Sequence, residues 1–157
     1  MRITIVRRSR RRVDVSLLRA RASRLLKRLR TPSSSELNVI LESDPAVRRL
    51  HRRYFGLNTK TNVISFGQWE GDPARVRDQW SGRTANLPLP LGDVVISVDR
   101  AKAEADAAGM SLDTRVAQLL IHGVLHLLGH EHERGGKSAR SMEQEESRLA
   151  IIALKRL

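Results

Sequence analysis

The 157-residue sequence contains no cysteine. This absence excludes disulfide bonds, and with them a disulfide-linked partner, and it also excludes thiolate metal ligands and cysteine nucleophiles. Any metal ion must therefore be bound through nitrogen or oxygen. Aromatic residues are scarce as well, at 3% of the chain, so the hydrophobic core has to be built mainly from Leu, Val, Ile and Ala.

The sequence also lacks long apolar runs. No run approaches the roughly 18 residues that indicate a membrane-spanning helix, and no apolar segment typical of a secretory signal follows the basic start of the chain. We therefore expect a cytoplasmic protein without a membrane partner. The length favours one domain over residues 1–157, because a chain of this size can build one substantial core.

Positive charge, by contrast, is abundant and unevenly distributed. The formal net charge is +12, and residues 1–30 contain 12 Lys and Arg against a single acid, Asp14, whereas residues 31–157 contain 17 against 16. Such a basic segment favours binding to a polyanion, of which nucleic acid is the first to consider. A solvated basic face and an anionic membrane surface are the alternatives that remain open.

Hydrophobic periodicity predicts four strands and five helices that alternate along much of the chain. The predicted strands cover residues 2–6, 36–43, 61–66 and 91–98, and the predicted helices cover residues 15–30, 46–55, 99–109 and 111–129 and a last segment from Ser141. The first helix carries Leu18, Ala22, Leu25 and Leu29 on one face and arginines on the other. We expect it to pack on the core and to present basic charge outward.

Residues at the helix ends fit known capping preferences. The predicted N-caps are Asp44, Ser111 and Ser141, and the predicted C-terminal stops are Gly56, Gly109 and Gly129. Between the third and fourth strands, residues 67–90 form a stretch longer than most structureless loops, so we expect a working loop or a disordered insertion. This stretch contains Trp69 and Trp80 among arginines; the rings either stack on bases of single-stranded nucleic acid or fold back onto the core.

Four of the chain's five histidines lie within the segment IHGVLHLLGHEHE (121–133), and three of them, His122, His126 and His132, are candidate metal ligands. His122 and His126 are four residues apart, so their side chains leave the same face of a helix, one turn apart, and can bind one ion. Gly129 allows the chain to leave the helix and to bring His132 back as a third ligand. The alternative is a set of hydrogen-bonded structural histidines. We do not expect His130 to be a ligand, because Gly129 can direct only one neighbouring side chain to the ion.

Three neutral ligands leave a zinc ion with its full charge and with an open position for water. The pKa of that water falls from about 15.7 to near 7. A structural zinc is normally closed by a fourth protein ligand, and the sequence offers no obvious one. His51 lies among arginines, and we expect it to be exposed.

The histidine spacing is also that of the metzincin proteases. Those enzymes carry their general-base glutamate at the position of Gly123, so the proton carrier of a peptidase is missing. Glu131 and Glu133 lie after the helix break, which does not match that role. A peptidase is therefore the least favoured of the three functions that we consider for this chain.

Three motifs together resemble the YbeY endoribonucleases, which act in the maturation of small-subunit ribosomal RNA and in ribosome quality control. HGVLHLLGHEH (122–132) resembles the signature H-G-x-L-H-L-x-G-[YH]-D-H, TNVISF (61–66) resembles T-[DN]-V-L-S-F, and LGDVVIS (91–97) resembles L-G-D-[IL]-V-I-[SC]. The motifs occur in the family's order, and the similarity covers residues 50–133.

The resemblance implies an α+β fold in which a single small mixed sheet of about four strands packs with about five helices, one of them a zincin-like metal helix. It implies one Zn²⁺ per chain, bound by His122, His126 and His132, and cleavage of single-stranded RNA by metal-activated water. The implied partners are single-stranded or ribosomal RNA and the small ribosomal subunit. A ribosome assembly factor that binds RNA around a structural metal is our second interpretation.

Some positions depart from the family pattern or have open roles. Phe55 stands where many members have an arginine, and Arg52 and Arg53 are close enough to replace it in contacting phosphate. Glu131 stands where the family usually has Asp and is a further candidate catalytic residue. Asp93 is expected to cap the backbone or to orient a ligand histidine. The arginines of the first helix are expected to hold the RNA.

Overall fold

The structure is a computed structural model, and it describes residues 1–83, 86–130 and 137–154. The strands are β1 (Arg2–Arg7), β2 (Ser35–Glu42), β3 (Val63–Gly67) and β4 (Leu89–Ser97). The helices are α1 (Val15–Arg28), α2 (Asp44–Phe55), α3 (Pro73–Ser81), α4 (Val98–Ala107), α5 (Leu112–Leu127) and α6 (Lys137–Ala153).

The strands form one mixed sheet in the order β1-β2-β4-β3. β1, β2 and β4 are parallel, and β3 pairs antiparallel with β4. The predicted α+β architecture with a small mixed sheet of four strands is therefore confirmed. β4 lies inside the sheet and is buried along most of its length, as expected for a strand with continuous apolar character.

The core occupies both faces of the sheet. Val94 belongs to the main cluster, whereas its neighbour Val95 belongs to a second, small cluster with Val47 and Ile64, because successive side chains of a strand point to opposite faces. α5 is the central helix of the main cluster and contacts β3, β4, α1, α4 and α6. Within the described residues, no helix has the length and the apolar character needed to cross a membrane.

α1 packs as its periodicity predicts, but its basic face is only partly free. Leu18, Ala22, Leu25 and Leu29 are all buried. Arg21, however, is half-buried, and its guanidinium donates a hydrogen bond to the backbone carbonyl of Asp113 at 2.8 Å. Part of the arginine face therefore fixes α1 to the start of α5 and does not simply present charge outward.

The sequence did not predict α3. This helix lies inside the stretch 67–90, which we expected to be a working loop or a disordered insertion. It begins at an N-cap, Asp72, whose side chain accepts a hydrogen bond from the backbone N–H of Arg75. Val76 and Trp80 are buried, with 8% of Trp80 exposed. The described residues form six helices, in line with the prediction of about five. Trp80 belongs to the core and is not a base-stacking residue.

Two predicted helix starts were wrong. The N-cap of α2 is Ser43, because the carboxylate of Asp44 accepts a hydrogen bond from Ser97 and pairs with Arg100. α6 begins at Lys137, ahead of the predicted cap Ser141. The predicted cap of α5 is confirmed, since the Ser111 side chain accepts a hydrogen bond from the N–H of Thr114.

Candidate metal centre and active-site cleft

α5 brings His122 and His126 together. Their Nε2 atoms are 3.0 Å apart and their ring centroids 4.6 Å apart. Both side chains are half-buried, while most of the rest of α5 is fully buried in the core. The two rings therefore lie close together, at an interplanar angle of 65°, on a part of this helix that reaches the surface.

α5 ends in a left-handed turn at Gly129. The N–H of His130 donates to the carbonyl of Leu125, and the N–H of Gly129 donates to that of His126, which is the Schellman pattern. Gly129 has a φ of +88°, and a Cβ on it would lie 2.4 Å from the carbonyl oxygen of Gly71. Both the backbone conformation and the close approach of the 71–73 segment thus require glycine here.

The chain beyond this turn carries several of the predicted site residues. His132, Glu131 and Glu133 lie outside the described residues. Among the residues that are described, no group of three His, Asp or Glu side chains is placed to hold a metal ion. The roles of His132 as third ligand and of Glu131 as a catalytic residue stay predictions.

Glu146 on α6 supports the first histidine. Its Oε1 lies 2.6 Å from Nδ1 of His122. Because a carboxylate only accepts hydrogen bonds, Nδ1 of His122 is the donor, and Nε2 is the nitrogen that faces His126. A carboxylate behind a histidine in this way is the usual support of a metal ligand. Sequence reasoning missed Glu146, because one glutamate in an acid-rich helix carries no distinguishing signal.

The pair of imidazoles fits a zinc ion. Two nitrogen ligands at about 2.0–2.1 Å from a tetrahedral zinc lie about 3.3 Å apart, close to the 3.0 Å between the two Nε2 atoms. The carboxylate at Nδ1 of His122 fixes the ring in the tautomer that a ligand needs. The donor set is nitrogen and oxygen only, in agreement with a chain without cysteine.

His122 and His126 lie in an open cleft of about 540 Å³. α5 supplies one side of this cleft, and the other sides come from β3, from the end of α2 and from the segment that follows β3. Trp69 lies in this last segment, where its Nε1–H donates to the carbonyl of Pro90 at 2.7 Å. Trp69 therefore lines the cleft while also packing on the main core cluster, whereas Trp80 is buried within that cluster.

Gly123 explains why a protease-like base is missing. A Cβ at this position would lie 2.5 Å from Cγ1 of Val94, and the carbonyl of Gly123 accepts a hydrogen bond from the Ser65 hydroxyl at 3.0 Å. α5 packs on the sheet at this residue, so no glutamate fits there without moving the helix away from β4.

The structure separates the remaining predicted residues. Arg52 and Arg53 are exposed at the end of α2 and are not among the side chains that line the cleft. His51 does line it and is half-buried, so the expectation that it is exposed was wrong. Asp93 accepts a hydrogen bond from the Asn38 side chain at 2.8 Å, an interaction between strands that neither expectation for it included.

His130 follows the turn and is half-buried. Burial lowers its pKa from the ordinary value, Glu145 opposes this effect, and Arg77 adds to it. Burial therefore favours the uncharged form of this imidazole near neutral pH.

Comparison with known proteins identifies the family. Residues 5–152 match the family model described as endoribonuclease YbeY. A protein named endoribonuclease YbeY from Geobacter metallireducens is 39% identical over 154 residues, which cover 97% of this chain and 95% of the relative. One of the same name from Roseiflexus castenholzii is 34% identical over 145 residues, covering 92% and 87%.

A solved structure agrees with the fold. The solution structure of a Thermotoga maritima protein superimposes with a TM-score of 0.62 at 19% identity and covers 96% of this chain and 88% of that one. At this identity the likeness concerns the fold alone, whereas the family match spans nearly all of the chain. The chain therefore belongs to the YbeY family of endoribonucleases.

Proposed function

We propose that this protein is a Zn²⁺-dependent, single-strand-specific endoribonuclease that acts in small-subunit rRNA maturation and ribosome quality control in the bacterial cytoplasm. The observation that carries the proposal is the pair of imidazoles, Nε2 to Nε2 at 3.0 Å, in an open cleft. The relatives' printed name, endoribonuclease, supplies the reaction class.

His122, His126 and His132 would hold the zinc ion. Such an ion supplies a Lewis acid and lowers the pKa of a coordinated water toward about 7. Three neutral ligands leave its charge intact, which suits an anionic phosphodiester. Glu146 holds the ring of His122 through Nδ1 and so keeps Nε2 facing the position shared with His126.

The cleft supports an RNA substrate rather than a peptide. The helix position at which a metzincin carries its general base is Gly123, which packs against Val94 and has no room for a side chain. The net charge of +12 attracts a polyanion by long-range electrostatics. An open cleft admits a flexible single strand, whose phosphates and bases can be presented separately.

The proposal is tested by cleavage of a single-stranded RNA by wild type and by His126→Ala, together with the zinc content of each. We expect His126→Ala to lose bound zinc and at least about 100-fold in cleavage rate. His130→Ala is the matched control, because its side chain is not an expected ligand, and it should retain zinc.

Three results would contradict the proposal. Cleavage that survives His126→Ala would point to another site. Tight RNA binding and full zinc content without any cleavage would indicate an assembly factor with a structural metal. Cleavage of casein instead of RNA would indicate a peptidase.

A further inference from the structure

The end of α2 exposes an unusual group of apolar side chains. Tyr54 is 59% exposed, Phe55 51% and Leu57 52%, in a chain in which only 3% of residues are aromatic. Single exposed apolar residues need no explanation, but neighbouring ones mark a binding surface. We call Tyr54 and Phe55 the aromatic platform.

The aromatic platform is held from within the protein. The ring of Phe66 on β3 stacks with Phe55 at a centroid distance of 6.2 Å and an interplanar angle of 26°, and it meets the edge of Tyr54 at 5.1 Å and 69°. Phe66 in turn packs on the small buried cluster of Val47, Ile64 and Val95. Rings supported in this way lose little conformational entropy when a ligand covers their outer faces.

The platform lies at the edge of the cleft. Phe55 and His51 both line the cleft that contains His122 and His126, and the rings of His51 and Phe55 are 5.5 Å apart. A strand that crosses the imidazole pair can therefore reach Phe55 without leaving the cleft.

The positive charge around the aromatic platform favours an anionic ligand. Residues 44–60 contain five Lys and Arg against one acid, Asp44. Arg53 lies 5.7 Å from the centroid of the Tyr54 ring, and in the described part of the chain no carboxylate forms an ion pair with Arg52 or Arg53. Flat rings beside unpaired guanidinium groups are the combination that binds a base and its phosphate.

We infer that the aromatic platform stacks a nucleobase of the single-stranded RNA next to the phosphodiester at the imidazole pair, while Arg52 and Arg53 contact its backbone. The inference deepens the proposed function and rests on it for the choice of RNA. Bases inside a duplex do not expose their faces, so the platform favours a single strand. Stacking is tolerant of base identity, so it sets position rather than sequence.

The test compares affinities for a fluorescein-labelled single-stranded RNA of about ten nucleotides, all measured in the His126→Ala background. That background lacks the proposed cleavage, so binding and catalysis can fail separately. We expect Tyr54→Leu with Phe55→Leu to weaken binding at least about fivefold, because stacking of one base contributes about 5- to 150-fold. Leu87→Ala is the matched control, because Leu87 is 54% exposed but does not line the cleft.

A second measurement separates stacking from folding. In this measurement, an abasic nucleotide replaces each nucleotide of the RNA in turn. For the His126→Ala parent, the affinity should fall when the abasic site is at one or two particular positions. For the variant with both leucine substitutions, no position should lower the affinity. Phe55→Trp and Tyr54→Phe keep a ring and should bind within about twofold of the His126→Ala parent. If the leucine variant does not fold, the abasic scan on Phe55→Trp decides. Equal affinity of the ring-free and parent proteins, or an abasic scan without position dependence, would overturn the inference.

Discussion

At the scale of single residues, the contact between His122 and Glu146 is the most informative one in the site. It joins Nδ1 of His122 to Oε1 at 2.6 Å, and the two side chains have the same exposed fraction, 29%. The hydrogen bond fixes the orientation of the ring, so that Nε2 faces Nε2 of His126. α6 thereby contributes a side chain to the candidate metal centre, although none of the three expected ligands lies on it.

Glu146→Gln tests this support. The amide keeps the shape of the side chain but weakens the hydrogen bond to Nδ1 and removes the charge, so we expect zinc affinity to fall about 10- to 100-fold. Zinc affinity is measured by competition with a coloured chelator. Glu143→Gln makes the same change of charge on an exposed position of α6 and should leave the affinity unchanged; an equal effect of both would assign the loss to general electrostatics.

The sequence predicted the histidine pair but not its support, for a physical reason. Two histidines one helical turn apart have their relation fixed by backbone geometry alone. Glu146 lies 24 residues after His122 in the sequence. The two side chains meet only because α6 packs against α5. The same holds for Arg21, whose partner is a backbone carbonyl 92 residues away.

At the scale of elements, α3 deserves a test because its start packs against the turn at Gly129. Asp72 caps α3 by accepting a hydrogen bond from the N–H of Arg75 at 2.9 Å. Asp72→Ala should cost about 0.5–2 kcal/mol and should lower hydrogen-exchange protection of the first amides of the helix. Asp78→Ala, at an exposed position of the same helix, should have little effect. Equal protection in the two variants would show that the cap does not stabilise α3.

Most elements were predicted from the sequence, but α3 was not. β1 to β4, α1, α2, α4 and α5 lie close to their expected positions, because each presents a regular apolar pattern. α3 lies in a polar stretch between glycines, and its buried side chains are Val76 and Trp80. α3 is helical because Trp80 packs into the core, and such a tertiary contact cannot be predicted from the local sequence.

Asp99, on α4, connects three parts of the chain that are distant in sequence. Its Oδ2 accepts the backbone N–H of Asp44 at 2.9 Å, and its Oδ1 accepts from Nε of Arg11 at 2.6 Å. The hydrogen bond from Asp44 first, and Arg11 second, lower the pKa of Asp99 below its ordinary value of 3.8. α2, α4 and the segment before α1 are thus tied together by one carboxylate.

The pH dependence of stability follows from this lowered pKa. A carboxyl group that is more acidic in the folded state stabilises the fold fully above its ordinary pKa, which is 3.8 for Asp99, and this contribution is lost as the pH falls through the folded value. Asp99→Asn should therefore cost about 1 kcal/mol at neutral pH, a figure reduced for solvent screening. The difference between variant and wild type in urea unfolding should shrink below about pH 4. A difference that is constant down to pH 2 would contradict this role.

At the scale of the whole molecule, the positive charge is divided between structural and free groups. Arg2, Arg8 and Arg11 form ion pairs with Glu36, Glu42 and Asp99, and Arg19 donates to the backbone carbonyl of Ile3. Arg10, Arg12 and Arg28 are exposed. Counterions are released from the RNA only where a basic side chain reaches a phosphate. The number of phosphate contacts made by residues 1–30 should therefore be smaller than their excess of positive charge.

This division predicts the salt dependence of RNA binding. Replacing Arg10, Arg12 and Arg28 together by Ala should reduce the slope of log K against log salt by up to about 2, because each phosphate contact to a single strand contributes about 0.7. Arg21→Ala should lower the free energy of unfolding instead and leave the slope unchanged, because its guanidinium is engaged with Asp113. The slope is measured between about 50 and 200 mM salt with a labelled single-stranded RNA. An unchanged slope in the triple variant would make the basic start of the chain a solvated face, and the contacts of α2 would then have to account for the affinity.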